Sequence, residues 1–177
     1  IDPDEWNSAS DGLLSAPYSA NDIGGKVECQ RALSSAVGLP HVPGVPRIGI
    51  VSRLAWQKGF DLCFSILPRL LAARNVQLVV LGSGEPRYET FFAHLANAAP
   101  RRVAFVNKFS EPMAHLVEAG CDLFLMPSRY EPCGLNQMYS LVYGTPPIVH
   151  RTGGLADTVR LFDRRTGKGN GFVFDHF

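Results

Sequence analysis

The sequence predicts an α/β fold: a Rossmann-like parallel sheet with helices on both of its faces. Three observations carry this expectation. Short apolar runs at Ile48–Val51, Val76–Leu81, Val103–Val106 and Leu123–Met126 have the length and composition of strands buried on both sides. Each run is followed by a polar or glycine-bearing break and then by a segment of helical period, so the order strand, loop, helix repeats. The breaks fall at the carboxyl ends of the strands, where an open sheet of this kind collects its ligands.

The elements follow in order. Residues 1–23 hold Asp-Pro, Ser-Asp-Gly and Pro-Tyr-Ser turns with little periodic burial. A helix is expected over Gly25–Val37, and the proline-rich LPHVPGVP is a connector. The chain divides into a turn-rich segment with a leading helix, residues 1–46, and a regular α/β domain, residues 47–177. In that domain Ile48–Val51 exits through the Ser52–Gly59 loop into a helix with Leu62, Ile66, Leu67, Leu70 and Leu71 on its apolar face. Val76–Leu81 ends in Gly82-Ser83-Gly84, and Tyr88, Phe91, Phe92 and Leu95 pack the helix after Pro86. Val103–Val106 leads through Phe109 to a helix at Met113–Val117. After Leu123–Met126 and a break at Ser128–Pro132, helical spacing falls on Leu135, Met138, Tyr139 and Val142. Pro146-Pro147 stops that helix, Ile148-Val149 makes a short strand, and Gly153-Gly154 turns the chain before Leu155, Val159 and Phe162. Gly171–Phe174 offers an edge strand.

Composition narrows the functions available. A chain of 177 residues with 46% hydrophobic content can bury one core. A net charge of +1 gives no electrostatic case for nucleic acid or a membrane surface as partner. The cysteines, Cys29, Cys63, Cys121 and Cys133, lack metal-ligand spacing and are expected as reduced, partly buried thiols; the histidines are too dispersed for a metal. The apolar runs are too short to span a bilayer.

Several groups stand where chemistry is expected. Arg53 and Lys58 follow the first strand, and a curved loop can aim both at a diphosphate; they equally suit solubility. Glu131 precedes Gly134-Leu135, which suggests a ligand with hydroxyls as well as phosphate, while Pro132 as a helix start with Glu131 at its positive end is the structural alternative. Gly82-Ser83-Gly84 and Thr152-Gly153-Gly154 can admit a ligand to the backbone or be ordinary turns. Neither matches the dinucleotide fingerprint or the phosphate loop. Cys133 is better read as a fitted small residue than as a nucleophile. Trp56 is expected to pack its loop, and Phe109 either packs the core or offers its ring to a nucleobase.

SRLAWQKG at Ser52–Gly59, SRYEPCGLNQMY at Ser128–Tyr139 and YGTPPIVHRTGGLADTV at Tyr143–Val159 together resemble the bacterial glycogen synthase and plant starch synthase family. IDPDEWN at Ile1–Asn7 is similar to the linker entering that family's second lobe. The resemblance implies the C-terminal lobe of a two-lobed (GT-B) glycosyltransferase that moves glucose from ADP-glucose to the nonreducing end of an α-1,4-glucan with retention. It makes residues 1–46 the interlobe linker and leading helix and residues 47–177 an incomplete nucleotide-sugar-binding domain. ADP-glucose is then a donor substrate and ADP a product; no cofactor or metal is implied. By matched position, Arg53 and Lys58 resemble donor-phosphate contacts and Glu131 the glutamate beside the transferred glucose, the catalytic set. Phe109 matches an adenine-stacking position commonly held by tyrosine, and Gly134, Leu135, Asn136 and Gly154 match donor contacts. Asn136 replaces a common threonine. Tyr139 stands where many other two-lobed glycosyltransferases carry a second glutamate, which favours the glycogen and starch branch. The expected partners are the glucan acceptor and an absent N-terminal lobe, whose absence is expected to leave the lobe alone inactive. Self-association through exposed apolar surface is a further expectation. A bacterial parent would be cytoplasmic and a plant parent plastidial.

Overall fold

The computed structural model describes residues 1–176; the far end of the expected domain, at residue 177, lies outside them. It is a six-stranded, all-parallel sheet in the order β3-β2-β1-β4-β5-β6. The strands are β1 Arg47–Val51, β2 Gln77–Leu81, β3 Val103–Val106, β4 Leu123–Met126, β5 Pro147–His150 and β6 Phe172–Phe174. The helices are α1 Gly24–Val37, α2 Cys63–Ala73, α3 Pro86–Ala98, α4 Glu111–Gly120, α5 Asn136–Val142 and α6 Gly153–Thr158. Every strand read from the sequence is present, and Gly171–Phe174 does close one edge.

Alternation along β2 divides the core into two layers. Leu78 and Val80 point to the cluster of Phe60, Leu67 and Leu71 with Tyr88, Phe92 and Leu95, under α2 and α3. Val79 and Leu81 point the other way, to Leu33, Val117 and Cys121 of and beside α1 and α4, and to Leu155 and Val159. Both sheet faces are thus covered. α4 comes closest to the sheet at Gly49, where a Cβ would lie 2.9 Å from Val117 Cγ1.

Residues 1–23 are more tightly docked than their turn-rich composition suggests. Trp6 is stacked between His115 (centroids 3.7 Å apart) and Tyr139 (3.8 Å). Asp11 accepts from Leu13 N–H, His115 Nδ1 and the Tyr143 hydroxyl. Tyr18 donates to the Tyr143 carbonyl, and Lys26 donates to the Ala119 and Tyr143 carbonyls and to Thr145 Oγ1. Burial alone raises the Asp11 pKa, but the bonds from Tyr143 and His115 hold it below its usual value.

Four side-chain expectations are corrected. In α5 the fully buried residues are Gln137 and Ser140, whereas Leu135 and Val142 are exposed. The reason is hydrogen bonding: Gln137 Nε2 donates to the Cys133 and Gly134 carbonyls and to Thr158 Oγ1, and Ser140 Oγ donates to the Gln137 carbonyl. Ile66 and Phe162 are also exposed; Ile66 borders an apolar groove with Leu62, Leu70, Leu125, Ile148 and Phe174. Cys133 lies on the surface, while Cys29, Cys63 and Cys121 are buried and free. Burial pushes the Cys63 thiol up to about 12 and Cys121 higher, so both are poor nucleophiles. Finally, α5 starts at Asn136, so Pro132 does not open a helix.

Glu118 in α4 is 1% exposed and its Oε2 has no hydrogen-bond partner among the described residues. Burial raises its pKa well above 4.5, with Lys26 partly opposing. Between pH 4.5 and the raised value the folded state therefore binds more protons than the unfolded one, and Glu118 lowers stability as pH rises. Glu118→Gln removes that dependence. In urea unfolding, the stability of the variant relative to wild type is expected to increase from pH 4.5 to pH 8. An unchanged difference across that range would contradict the buried neutral acid.

Candidate functional site

The site sits where the strand order reverses, between β1 and β4. Pairing between these strands is confined to Ile48 with Leu123 and Gly49 with Phe124, whereas β1 and β2 pair along all of Arg47–Val51. Beyond Gly49 the sheet opens at its carboxyl edge. Asn136, at the start of α5, bridges the opening by donating from Nδ2 to the Val51 carbonyl at 2.8 Å. Its side chain thus has a structural task, and the Asn136 N–H is what remains for a ligand.

Two adjoining cavities fill the crevice and share Val51, Ser52, Arg53 and Asn136. The inner one, about 270 Å³, brings together Arg53, Lys58, Ser128, Glu131, Gly134 and Leu135. Arg53 and Lys58 reach it because residues Trp56–Lys58 form a tight helical turn closed by Gly59 at φ 72°. Lys58 Nζ is 2.6 Å from Glu131 Oε2, which also accepts from Ser128 Oγ at 3.0 Å. The pair is mostly buried, with side-chain exposures of 21% and 9%. Such a pair holds its geometry only while both charges are present, and an anion arriving at Lys58 competes with Glu131 for it.

The outer cavity, about 520 Å³, is lined by Arg53, Gly82, Ser83, Phe109, Trp6 and Tyr139, among others. Phe109 is 85% exposed, so the core-packing alternative fails and its ring is open to a ligand. Trp56 is 57% exposed with the Arg129 guanidinium 5.2 Å from its ring centroid, so it packs its own loop from outside. Gly82 and Gly84 resolve as structural turns. Their N–H groups donate to the Val106 carbonyl and to Glu89 Oε1, and a Cβ on Gly82 would lie 1.8 Å from the Ser52 carbonyl oxygen.

Gly154 does not line either cavity. Its N–H donates to the Glu131 carbonyl at 3.0 Å, and a Cβ would lie 1.8 Å from the Cys133 carbonyl oxygen. Its neighbour Gly153, at φ 43°, approaches the Glu131 carbonyl in the same way. Gly154, which the resemblance offers as a donor contact, stands here as a support: α6 buttresses the Glu131–Leu135 loop from behind. In front, the Gly134 and Leu135 N–H groups have no protein acceptor among the described residues and border the inner cavity. Sequence reasoning missed Trp6, which lines the outer cavity only because the N-terminal segment folds back onto α4 and α5.

Residues 38–176 match the family model for glycosyl transferases group 1. The chain belongs to that family. This glycosyltransferase lobe is 55% identical over 177 residues to a glycogen synthase of Anaeromyxobacter dehalogenans (strain 2CP-1 / ATCC BAA-258), covering 100% of the chain and 37% of the relative. It is 46% identical to soluble starch synthase 1, chloroplastic/amyloplastic, of Solanum tuberosum, covering 98% of the chain and 28% of the relative. Among solved structures, the catalytic domain of starch synthase IV from Arabidopsis thaliana, bound to ADP and acarbose, superposes with a TM-score of 0.90 at 37% identity. That match covers 99% of the chain and 37% of the starch synthase chain. The lobe thus spans between 28% and 37% of the length of these relatives, with the GT-B C-terminal architecture expected from its sequence. Among the described residues no helix is long and apolar enough to cross a membrane.

The backbone contact at Gly154 generates a test. Gly154→Ala must push α6 away from Cys133, and the overpacking is expected to cost about 1 to 3 kcal/mol, a fall of several degrees in Tm for a domain of this size. Gly12→Ala serves as the control: like Gly154 it lies outside the positive-φ region, but nothing lies within 4 Å of its Cβ position. Calorimetric melting of both variants measures the difference; equal losses would mean that the close contact at Gly154 contributes nothing.

Proposed function

We propose that this lobe is the donor-binding half of a glucan synthase that transfers glucose from ADP-glucose to the nonreducing end of an α-1,4-glucan with retention of configuration. The observation that carries the reading is the convergence of Arg53, Lys58, Glu131 and the Gly134-Leu135 N–H groups on one cavity. Its relatives support it: glycogen and starch synthases align over the whole lobe, and the starch synthase IV structure holds ADP and acarbose. In transfer, the bond from glucose C1 to the phosphate oxygen breaks and its electron pair leaves with ADP. A bond forms from the acceptor hydroxyl oxygen to C1 on the same face, and the acceptor proton passes to the departing phosphate oxygen. Arg53 and Lys58 meet the growing diphosphate charge, and the N–H groups of the Gly134 turn add preorganised donors. Glu131 positions the transferred glucose and balances charge at C1. Phe109 lies against the adenine. The acceptor is held by the opposing lobe, so the 177-residue chain binds donor without efficient turnover.

Arg53→Ala and Lys58→Ala are each expected to weaken ADP binding by roughly 10- to 150-fold, the equivalent of about 1.5 to 3 kcal/mol per charge-assisted contact. Calorimetry on folded variants measures this, and unchanged affinity in both would remove the phosphate assignment. Glu131→Ala separates the roles more sharply. It frees Lys58 from its carboxylate partner, so ADP affinity should hold or tighten while glucosyl transfer by the whole enzyme falls. Turnover is followed as glucose incorporated into glycogen from ADP-glucose, with UDP-glucose in parallel. Preferential use of UDP-glucose would overturn the donor, and full activity in Glu131→Ala would overturn the glutamate's role.

A further inference from the structure

His115 is engaged on one side only. Its Nδ1 is 2.7 Å from Asp11 Oδ2, and its ring is 1% exposed. With Asp11 ionised and held by Tyr143 and Leu13, the imidazole proton belongs on Nδ1, and Nε2 presents a lone pair. That Nε2 is buried and has no hydrogen-bond partner among the described residues. An acceptor nitrogen left in this way inside a protein calls for an explanation.

One donor atom each from Glu5, Glu111 and His115 lie within 4.8 Å of one another. Since Nδ1 is held by Asp11, the histidine's contribution is Nε2. Both carboxyl groups are exposed, while the imidazole between Asp11 and this pair is buried. We propose that Glu5, Glu111 and His115 Nε2 bind a divalent transition-metal ion, which clamps the N-terminal segment onto the start of α4 beside the outer cavity. One imidazole nitrogen and two carboxylate oxygens, with an open position for water, suit Zn²⁺ and its neighbours better than Mg²⁺ or Ca²⁺. Asp11 is the outer carboxylate that orients a metal-binding histidine and fixes its tautomer. The ligands come from two distant stretches, and Trp6, next to Glu5, and Glu111 both border the outer cavity. The ion acts on the shape of that wall, and the transfer chemistry does not pass through it.

The test uses the chelator-treated 177-residue chain, titrated with ZnCl₂ and separately with MgCl₂ by calorimetry, beside Glu5→Gln and Glu111→Gln. Both glutamates are exposed, so the variants should keep the wild-type circular dichroism. Wild type should saturate at one Zn²⁺ per chain, with each variant weakened at least about 10-fold and Mg²⁺ giving no saturation in the same range. Zn²⁺ should also raise the wild-type Tm, and the rise should vanish in the double variant. Absence of saturable Zn²⁺ binding would overturn the proposal. Equal affinity in the double variant would also overturn it, placing the ion on other histidines.

Discussion

The early end of pairing between β1 and β4 is the constraint on which this lobe depends. The crossovers through α2 and α3 build the sheet in one direction from β1, and those through α4, α5 and α6 build it in the other. At the reversal no connection spans the carboxyl edge, so the gap between Val51 and Met126 must be filled from elsewhere. The chain fills it with the Ser52–Gly59 turn, the Ser128–Leu135 loop and the side chain of Asn136. Every group assigned to donor recognition near the phosphates comes from these pieces. The charges meet because the sheet parts there.

The electrostatics of the inner cavity follow from this closeness. Lys58 and Glu131 stand far apart in the chain but share a proton-bridged contact, reinforced by Ser128. In the free protein the carboxylate occupies part of the positive field that a diphosphate would use. On the proposed reading, binding exchanges one anion for another at Lys58 and leaves Arg53 to supply the added attraction. Such an exchange keeps the buried charges paired both before and after the ligand arrives, which limits the desolvation cost of holding them ready.

The strands, their order of succession and most helices could be read from apolar runs and period alone, because Ile48–Val51, Val76–Leu81 and Leu123–Met126 are buried on both faces and bounded by glycine or proline. The convergence of Arg53, Lys58 and Glu131 was legible from their places at strand ends. The resemblance in SRLAWQKG and SRYEPCGLNQMY added roles that spacing could not. What escaped depends on contacts between distant residues. The buried face of α5 is polar because Gln137 ties the Cys133 turn to Thr158, and no hydrophobic pattern marks it. Asp11 with His115 and Tyr143, and Trp6 with Tyr139, join the turn-rich start of the chain to helices more than 100 residues away. Local periodicity carries no trace of such pairs. Tyr139 shows the limit most plainly: its sequence position suggested a place in a helical repeat and an absent glutamate, and its partner Trp6 supplies the packing reason for a ring.

Surface loops ordinarily absorb sequence change, and the loops of this crevice divide in that respect. The sides facing solvent, at Phe109, Cys133 and Leu135, have room for other side chains. The sides facing inward meet neighbouring carbonyl oxygens at van der Waals limits at Gly82, Gly84, Gly153 and Gly154. A laboratory campaign to make the lobe accept a different nucleotide would therefore find its freedom in the rim, while the glycines behind it behave like core positions. Random libraries spread evenly over these loops would lose many members to misfolding before any were tested for a new donor.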